Sequence, residues 1–286
     1  MKIAVTSASG KLGASIVKHL IPLIGKNNII AIARTPQKAE HLGVAIRKGD
    51  YNSREDFDTA LKGIDAVLLV SGMDAPDKRI VQHRNVIEAA KLNGVKKIVY
   101  TSIVGAEKGN AFSPIVQTNR QTEKDIQNSG LEWSIGRNGI YIEPDIEYLD
   151  TYIKEGEIRN CAAEGKCTYT SREELGYAYA KMLIEEKHNG KIYNLVGNAI
   201  TQGELADYLN IVFGTHLIFN NVSVEAYKKE RTAALGDFMG TVIAGIYEGI
   251  KEGANAVTSD FEIVAGRPHK STVEMIKAYI NFANSI

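Results

Sequence analysis

Short apolar runs alternate with longer segments of helical apolar spacing through the first half of this 286-residue chain. That alternation predicts strands separated by helices. Met1-Lys2-Ile3-Ala4-Val5-Thr6 reads as a first strand, Ala14 to Ile21 as an amphipathic helix, and Ile29-Ile30-Ala31-Ile32-Ala33 as a second strand. A short helix from Pro36 to His41 and a third strand from Val44 to Lys48, ending at Gly49-Asp50-Tyr51, follow. Ser53 caps a helix to Leu61, with Asp56 at the capping-box position. Ala66 to Val70 is a continuous apolar strand, expected to be buried on both faces. Pro76 to Leu92 is a helix whose apolar side is assigned to Ile80, Val81, Val86, Ile87, Ala89 and Ala90. Lys97 to Thr101 is a fifth strand, Ser113 to about Asn128 a helix, and Leu131 to Ile135 a sixth strand.

The pattern implies an α/β protein with a Rossmann-type, doubly wound parallel sheet. Periodicity weakens after Arg137. One strand at 192–196 is expected to return to the sheet. Thr201 to Phe213 is a helix with Thr201 as cap and Glu204 closing the box. The stretch from Ser223 to Glu252 is mostly helical, and its Ile243, Ile246, Tyr247 and Ile250 are assigned to the core. Thr272 to Phe282 is a last helix. We therefore expect a dinucleotide-binding domain over 1–138 and a smaller, mainly helical substrate lobe over 139–286 that closes over the cofactor edge.

The chemistry starts in the turn after the first strand. Ser7-Ala8-Ser9-Gly10-Lys11-Leu12-Gly13 joins a buried strand to a helix, so free N–H groups and a positive helix end converge where a pyrophosphate would lie. The residue closing the second strand meets the adenosine ribose, where an acid favours NAD and a cation accepts the 2′-phosphate of NADP. Here it is Arg34, with Lys38 one helical turn on. This pattern predicts NADP(H) in preference to NAD(H). Ligands in such sheets lie at the carboxyl ends of the strands, which carry Thr6, Arg34, Asp50, Val70, Ser71, Gly72, Thr101, Ser102 and Asn138.

Composition narrows the partners. Lysine plus arginine and aspartate plus glutamate both number 34, so neither a basic footprint for nucleic acid nor an acidic tail is present. Cys161 and Cys167 read as reduced thiols, and six scattered histidines supply no metal-ligand cluster. The chain opens directly on a strand and holds no apolar run of membrane-spanning length. A cytoplasmic protein acting on a small molecule, without nucleic-acid or membrane partners, is expected; oligomeric state is open, a homodimer included.

The glycine turn resembles the T-G-A-T-G-x-L-G signature of atypical, extended-type short-chain dehydrogenases. Ala31-Ile32-Ala33-Arg34, Gly49-Asp50-Tyr51, Gln82-His83-Arg84-Asn85-Val86-Ile87-Glu88-Ala89-Ala90, Val99-Tyr100-Thr101-Ser102, Arg137-Asn138-Gly139-Ile140-Tyr141 and Ser259-Asp260-Phe261-Glu262 through Gly266-Arg267-Pro268 extend the resemblance nearly end to end. Together they look like the NmrA-like group, with type 2 NAD(P)H:quinone oxidoreductases and triphenylmethane reductase as the nearest kinds. The resemblance implies that Asp50 and Tyr51 lie near adenine, that Thr101 and Ser102 contact the nicotinamide ribose, and that Asn138 and Tyr141 border nicotinamide and substrate. Ile103 and Gly139 join them as pocket candidates, with His83 and Arg172. His83 has no nameable partner and reads as a core or solvated histidine ahead of a catalytic one. Arg172 reads equally as a surface residue at a helix start, and Lys11 as a phosphate contact or a solvated lysine. The family's first turn glycine is Ser7 here. Serine fits only if its φ stays in an ordinary region, and the substitution implies either a small loss or weaker cofactor binding.

Many short-chain dehydrogenases carry a Tyr-x-x-x-Lys pair that exchanges a proton with an alcohol or ketone. Matching the helix before the sixth strand to the family's puts Ile115 and Asn119 at those places. Tyr177 with Lys181 and Tyr247 with Lys251 match the spacing but lie beyond the sixth strand. Reduction of an ordinary ketone makes an alkoxide that needs a positioned acid. Reduction of a quinone makes a phenolate-type anion, comparable to tyrosine at a pKa of about 10, which solvent can protonate. The residues thus fit direct hydride transfer to a conjugated acceptor, with catalytic residues unassigned. The alternative is a non-catalytic NADP(H)-binding redox sensor acting through a protein partner. A sugar-nucleotide epimerase shares the fold but normally needs the missing pair.

Overall fold

The computed structural model describes residues 1–283, with side chains to 280. Strands β1 (Ile3–Val5), β2 (Ile29–Ala33), β3 (Ala45–Lys48), β4 (Ala66–Val70), β5 (Lys97–Ile103) and β6 (Glu132–Asn138) alternate with helices α1 (Lys11–Ile24), α2 (Arg54–Ala60), α3 (Pro76–Leu92) and α4 (Ser113–Gln127). The chain continues through β7 (Ile140–Tyr141), α5 (Glu143–Glu147), α6 (Leu149–Glu155), β8 (Glu157–Asn160), β9 (Cys167–Thr170), α7 (Arg172–Ile184) and β10 (Lys191–Leu195). It ends with β11 (Ala199–Ile200), α8 (Gln202–Phe213), β12 (Ile218–Asn221), α9 (Val224–Leu235), α10 (Asp237–Lys251), α11 (Phe261–Ala265) and α12 (Thr272–Ala283).

The central sheet has seven strands in the order β10-β6-β5-β4-β1-β2-β3, and every pairing in it is parallel. The order reverses between β1 and β4, which opens the crevice used by ligands of doubly wound sheets. Strand alternation builds two cores. Ile3, Val5, Ala31, Leu68 and Val99 point to the face covered by α1 and α7. Ala4, Ile32, Val67, Ile98 and Tyr100 point to the face covered by α2, α3 and α4. The strand β3 lies on the edge and carries the charged Arg47 and Lys48 after Ala45 and Ile46, which discourages pairing with another edge.

The helix α7 is held close to α1 by Gly176. A Cβ there would stand 2.3 Å from Ser15 Oγ and 2.9 Å from His19 Nδ1. Ala178 and Ala180 keep the rest of α7 narrow, and Tyr179 fills the space toward β6. Beyond the sheet, β11, β9 and β7 form a second small sheet, and β12 pairs with β8. With α5, α6, α8 and α12 they enclose a third core around Ile142, Tyr169, Leu205 and Ile276.

Elements of the first half fall close to their expected bounds, and Ser53 and Thr201 cap α2 and α8, the latter with a complete capping box. One expectation is corrected here. Val81 is exposed, and the inner side of α3 instead carries Arg79, Gln82 and His83. Arg79 donates to Asp74 O, Gln82 Nε2 donates to Asn52 and Asp74, and His83 bonds Gly72 and Thr122, while Gln82 Oε1 is left without a partner. The short strands after Asn138 have no visible alternation, being two to four residues long with sequences such as Glu157-Ile-Arg-Asn.

Among the described residues no helix is long and apolar enough to cross a membrane. Gly176→Ala should force α7 off α1, lowering unfolding free energy by about 1–3 kcal/mol; denaturant unfolding of the variant beside the wild type checks this.

Candidate active site

The turn between β1 and α1 is built by backbone approach. The N–H of Ala8 bonds Ile32 O at 3.0 Å and the N–H of Gly10 bonds Ser7 O at 2.9 Å. Gly13 lies against the turn so closely that a Cβ would stand 2.4 Å from Ser7 O. Gly10 caps α1 with no side-chain acceptor, and the first helical bond is Ala14 N to Gly10 O. The N–H groups of the first turn are therefore left facing the cleft, as an anion would require. Ser7 departs from expectation: its φ is +49°, in the left-handed region. The tight turn needs that conformation whatever residue occupies it, at a cost of roughly 1–2 kcal/mol for a residue with a Cβ.

A phenol sits under this turn. Tyr51 donates to Val70 O at 2.6 Å, and its oxygen lies 2.7 Å from Thr6 Oγ1 and 3.2 Å from Ser7 Oγ. Thr6 Oγ1 in turn accepts from the N–H of Val70 at 2.9 Å. The Tyr51 ring stacks on Phe57 at 5.6 Å. Burial pushes its hydroxyl up to about 12, so it stays a donor.

At the end of β4 the N–H of Ser71 bonds Thr101 Oγ1 and the N–H of Gly72 bonds His83 Nε2, both at 2.9 Å. The His83 acceptor role at Nε2 puts its proton on Nδ1, which faces Thr122 Oγ1 at 2.8 Å. Burial and the nearby Arg79 push His83 down to about 3, so it is neutral at ordinary pH. Asn119 accepts from Tyr100 at 2.6 Å and from Ser71 at 3.1 Å. At the end of β6 Asn138 is fixed from both sides, by Tyr179 at 2.6 Å and Tyr141 at 3.0 Å. Burial raises Tyr141 to about 12, and the Arg172 guanidinium stands 5.5 Å from its ring.

These strand ends line one cleft of about 1760 Å³. Ser7, Ser9, Gly10, Lys11, Leu12, Gly13, Arg34, Lys38, Asp50, Tyr51, Val70, Ser71, Gly72, Thr101, Ile103, Asn138, Gly139, Tyr141 and Arg172 all lie on its wall. Three expected residues do not. Thr6, Ser102 and His83 are buried behind the wall, because each spends its polar group on the frame: Thr6 on Val70, His83 on Gly72, and Ser102 on Glu123 at 2.5 Å. Lys11 stays largely exposed and pairs with Glu147 at 2.7 Å. Asp50 accepts from the N–H of Asn52 at 2.9 Å and so caps the turn as well as lining the cleft.

The cleft runs further than the sequence indicated. Beyond Tyr141 it is walled by Asp145, Tyr148 and Tyr152, and roofed from α9 and α10 by Tyr227, Phe238, Met239, Ile243, Ile246 and Tyr247. Ile243, Ile246 and Tyr247, assigned to the core by their spacing, pack against the core and also line the cleft, whereas Ile250 is fully buried in the core. The helical spacing identified the apolar face of α10, but not that it faces a cleft. Arg79 and Gln82 also line the cleft without having been singled out. Among the described residues no cluster of His, Cys, Asp or Glu could hold a metal ion.

A parallel sheet with a glycine-turn anion site at its switch point defines a Rossmann-type dinucleotide-binding protein. Sequence and structure comparisons agree. A family model described as NAD(P)H-binding matches residues 7–183. Quinone oxidoreductase 2 of Escherichia coli is 31% identical over 290 residues, 99% of this chain and 100% of that protein. An NmrA-like family domain-containing oxidoreductase of Aspergillus flavus is 29% identical over 79% of this chain and 76% of its own length. The structure of Citrobacter sp. triphenylmethane reductase complexed with NADP(H) superposes with a TM-score of 0.90 at 34% identity, covering 97% of this chain and 99% of that one. The chain belongs to the NAD(P)H-binding, NmrA-like family.

Tyr51→Phe removes the phenol shared by Val70, Thr6 and Ser7. It should cost about 1–3 kcal/mol of stability and weaken NADPH binding, as read by denaturant unfolding and by fluorescence titration. His83 gives a pH signature. Its folded pKa is depressed, so below about pH 6.5 the unfolded chain binds a proton that the fold refuses. Its contribution is present above that pH and is lost down to about 3. Between pH 7 and about pH 4.5 the wild type should lose about 2 kcal/mol more stability than His83→Gln, measured by denaturant unfolding at both pH values.

Proposed function

We propose that the protein is an NADPH-dependent reductase that delivers hydride to a quinone or similar conjugated acceptor. The observation that carries this reading is the cleft itself. A polar half built on the glycine turn opens into an aromatic chamber, and among the described residues lining it Ile115 and Asn119 stand where a tyrosine–lysine pair would be. Asn119 is already committed to Tyr100 and Ser71.

The donor set fits the dinucleotide. First-turn amides of α1 would hold the pyrophosphate, with Ser9 and Lys11 beside them. Arg34 and Lys38 would take the 2′-phosphate, which favours NADPH over NADH. Thr101 and Asn138 would border the nicotinamide end. When bound, the reduced cofactor supplies the hydride. The chain's part is to orient and to dry the site. Asn138, clamped by Tyr179 and Tyr141, presents a fixed polar edge, and the apolar roof from α10 excludes water around the acceptor. The E. coli and Citrobacter relatives, reductases by name, support the reading.

NADPH consumption with 1,4-benzoquinone, run beside NADH, tests it. Turnover preferring NADPH is expected. Tight NADPH binding without turnover over a broad panel of quinones and dyes would replace the reductase by a redox sensor. Arg34→Ala should raise KM for NADPH by about 10–100-fold, the loss of charge-assisted phosphate bonds, and leave KM for NADH nearly unchanged in the same assay.

A further inference from the structure

Among the described residues four buried carboxyls have contrasting company. Glu123 is gripped by Arg120 and Arg137, and Glu174 by Arg267 and Lys270. Glu143 accepts the backbone N–H of Arg172 at 2.6 Å and lies off the cleft wall. Asp145 is different. It is 5% exposed, lines the aromatic half of the cleft, and its Oδ1 receives the Tyr152 hydroxyl at 2.9 Å. The groups facing it from neighbouring elements are Tyr169 and Cys167 of β9, Tyr227 of α9 and Tyr247 of α10. All are neutral at ordinary pH, and no lysine or arginine is among the groups that set its ionisation.

A structural carboxyl in such a place costs stability without a cationic partner to offset it. Its position suggests why it is tolerated. Asp145, in the short helix α5, lies four residues after Tyr141 of β7, and Asn138, Gly139, Ile140, Tyr141, Pro144 and Asp145 all line the same cleft. The carboxyl therefore stands on the same surface as the polar edge that would border the reacting ring.

We propose that Tyr152 and Asp145 form a proton relay that protonates the reduced acceptor. The proposal rests on the reductase reading above: where the apolar roof keeps water from the acceptor, a buried acid delivers the proton that solvent would otherwise supply. An acceptor that has taken a hydride carries two new electrons and a negative charge on oxygen or nitrogen. With Asp145 protonated, its O–H donates to the Tyr152 oxygen across the same 2.9 Å contact, and the Tyr152 O–H bond breaks as the new bond to hydrogen forms on the acceptor. The Asp145 O–H bond breaks as the Tyr152 hydroxyl reforms, and water entering by the cleft returns a proton to the Asp145 carboxylate. Burial and the adjacent carboxyl both push Tyr152 far above the ordinary tyrosine range, so the two protons move together and no free phenolate forms. Burial also raises Asp145 to about 6, within reach of neutral pH and suited to an acid that must reload there.

The test uses wild type, Asp145→Asn and Tyr152→Phe with NADPH and 1,4-benzoquinone between about pH 5 and about pH 8. The wild-type kcat should fall as pH rises through the Asp145 ionisation. Both variants should lose about 100-fold in kcat at the acid end, with flat profiles and with NADPH dissociation constants unchanged. Infrared spectra of the unliganded protein give a readout independent of turnover: a protonated-carboxyl band that fades over the same pH range and is missing from Asp145→Asn. A wild-type kcat independent of pH, variants with wild-type kcat, or a band absent at about pH 5 would each overturn the relay while leaving the reductase intact. If Asp145→Asn does not fold, Tyr152→Phe and the wild-type profile decide. Wild type that binds NADPH but turns over no acceptor at any pH overturns the underlying reading, and the relay with it.

Discussion

The binding edge depends on the contact between the turn after β1 and the sheet beneath it. The helix α1 can start where it does only because Gly13 has no side chain to strike Ser7 O. Ser7 can hold its left-handed φ of +49° only because the surroundings fix both neighbours. The Tyr51 hydroxyl does much of that fixing, tying the turn at Thr6 and Ser7 to Val70 on the adjacent strand. The anion site and the end of β4 are therefore one rigid unit. A shift in either would move the other, which is the preorganisation that a cleft holding two rings in register requires.

The rest of the chain is arranged to close that edge. Gly176 lets α7 lie against α1, and β10 pairs with β6, so the segment after Asn138 returns to the sheet before the remaining helices are laid down. The roof uses the same device. Gly240 brings α10 against the backbone of Arg231 and Thr232 on α9, and Gly245 brings it against Ala111 and Phe112. Close backbone packing leaves the larger side chains of α10 free to point into the cleft. The ion pair of Lys11 with Glu147 joins the glycine turn to α5 across the cleft.

Much of the first half was legible. The strands β1, β2, β4 and β5 are short apolar runs buried on both faces, and such runs have few alternatives. The glycine turn, Arg34, Ser71-Gly72, Thr101 and Asn138 were found because they are polar or small residues directly after those runs, and the fold brings all of them to one cleft. Thr6 and Ser102 shared the signal but not the place, and His83, on α3, spends its ring on Gly72 behind the wall. At the end of a strand, successive side chains alternate between faces, and a polar one can serve the frame as readily as a ligand. Ser7 was expected at an ordinary φ because serine prefers it; the turn, not the residue, set the conformation.

The sequence by itself determined the βαβ order, the parallel sheet, the anion-binding turn and the cation after β2, because each follows from contacts within a few residues. Only the tertiary structure decided which face of α10 is a roof, that Tyr51 serves as a brace, and that Asp145 lies buried among tyrosines with no cation beside it. Those properties come from residues brought together across β9, α6, α9 and α10. Local periodicity records that a side chain is apolar or polar. Whether it meets packed core, a cleft or a buried partner depends on which distant element covers it.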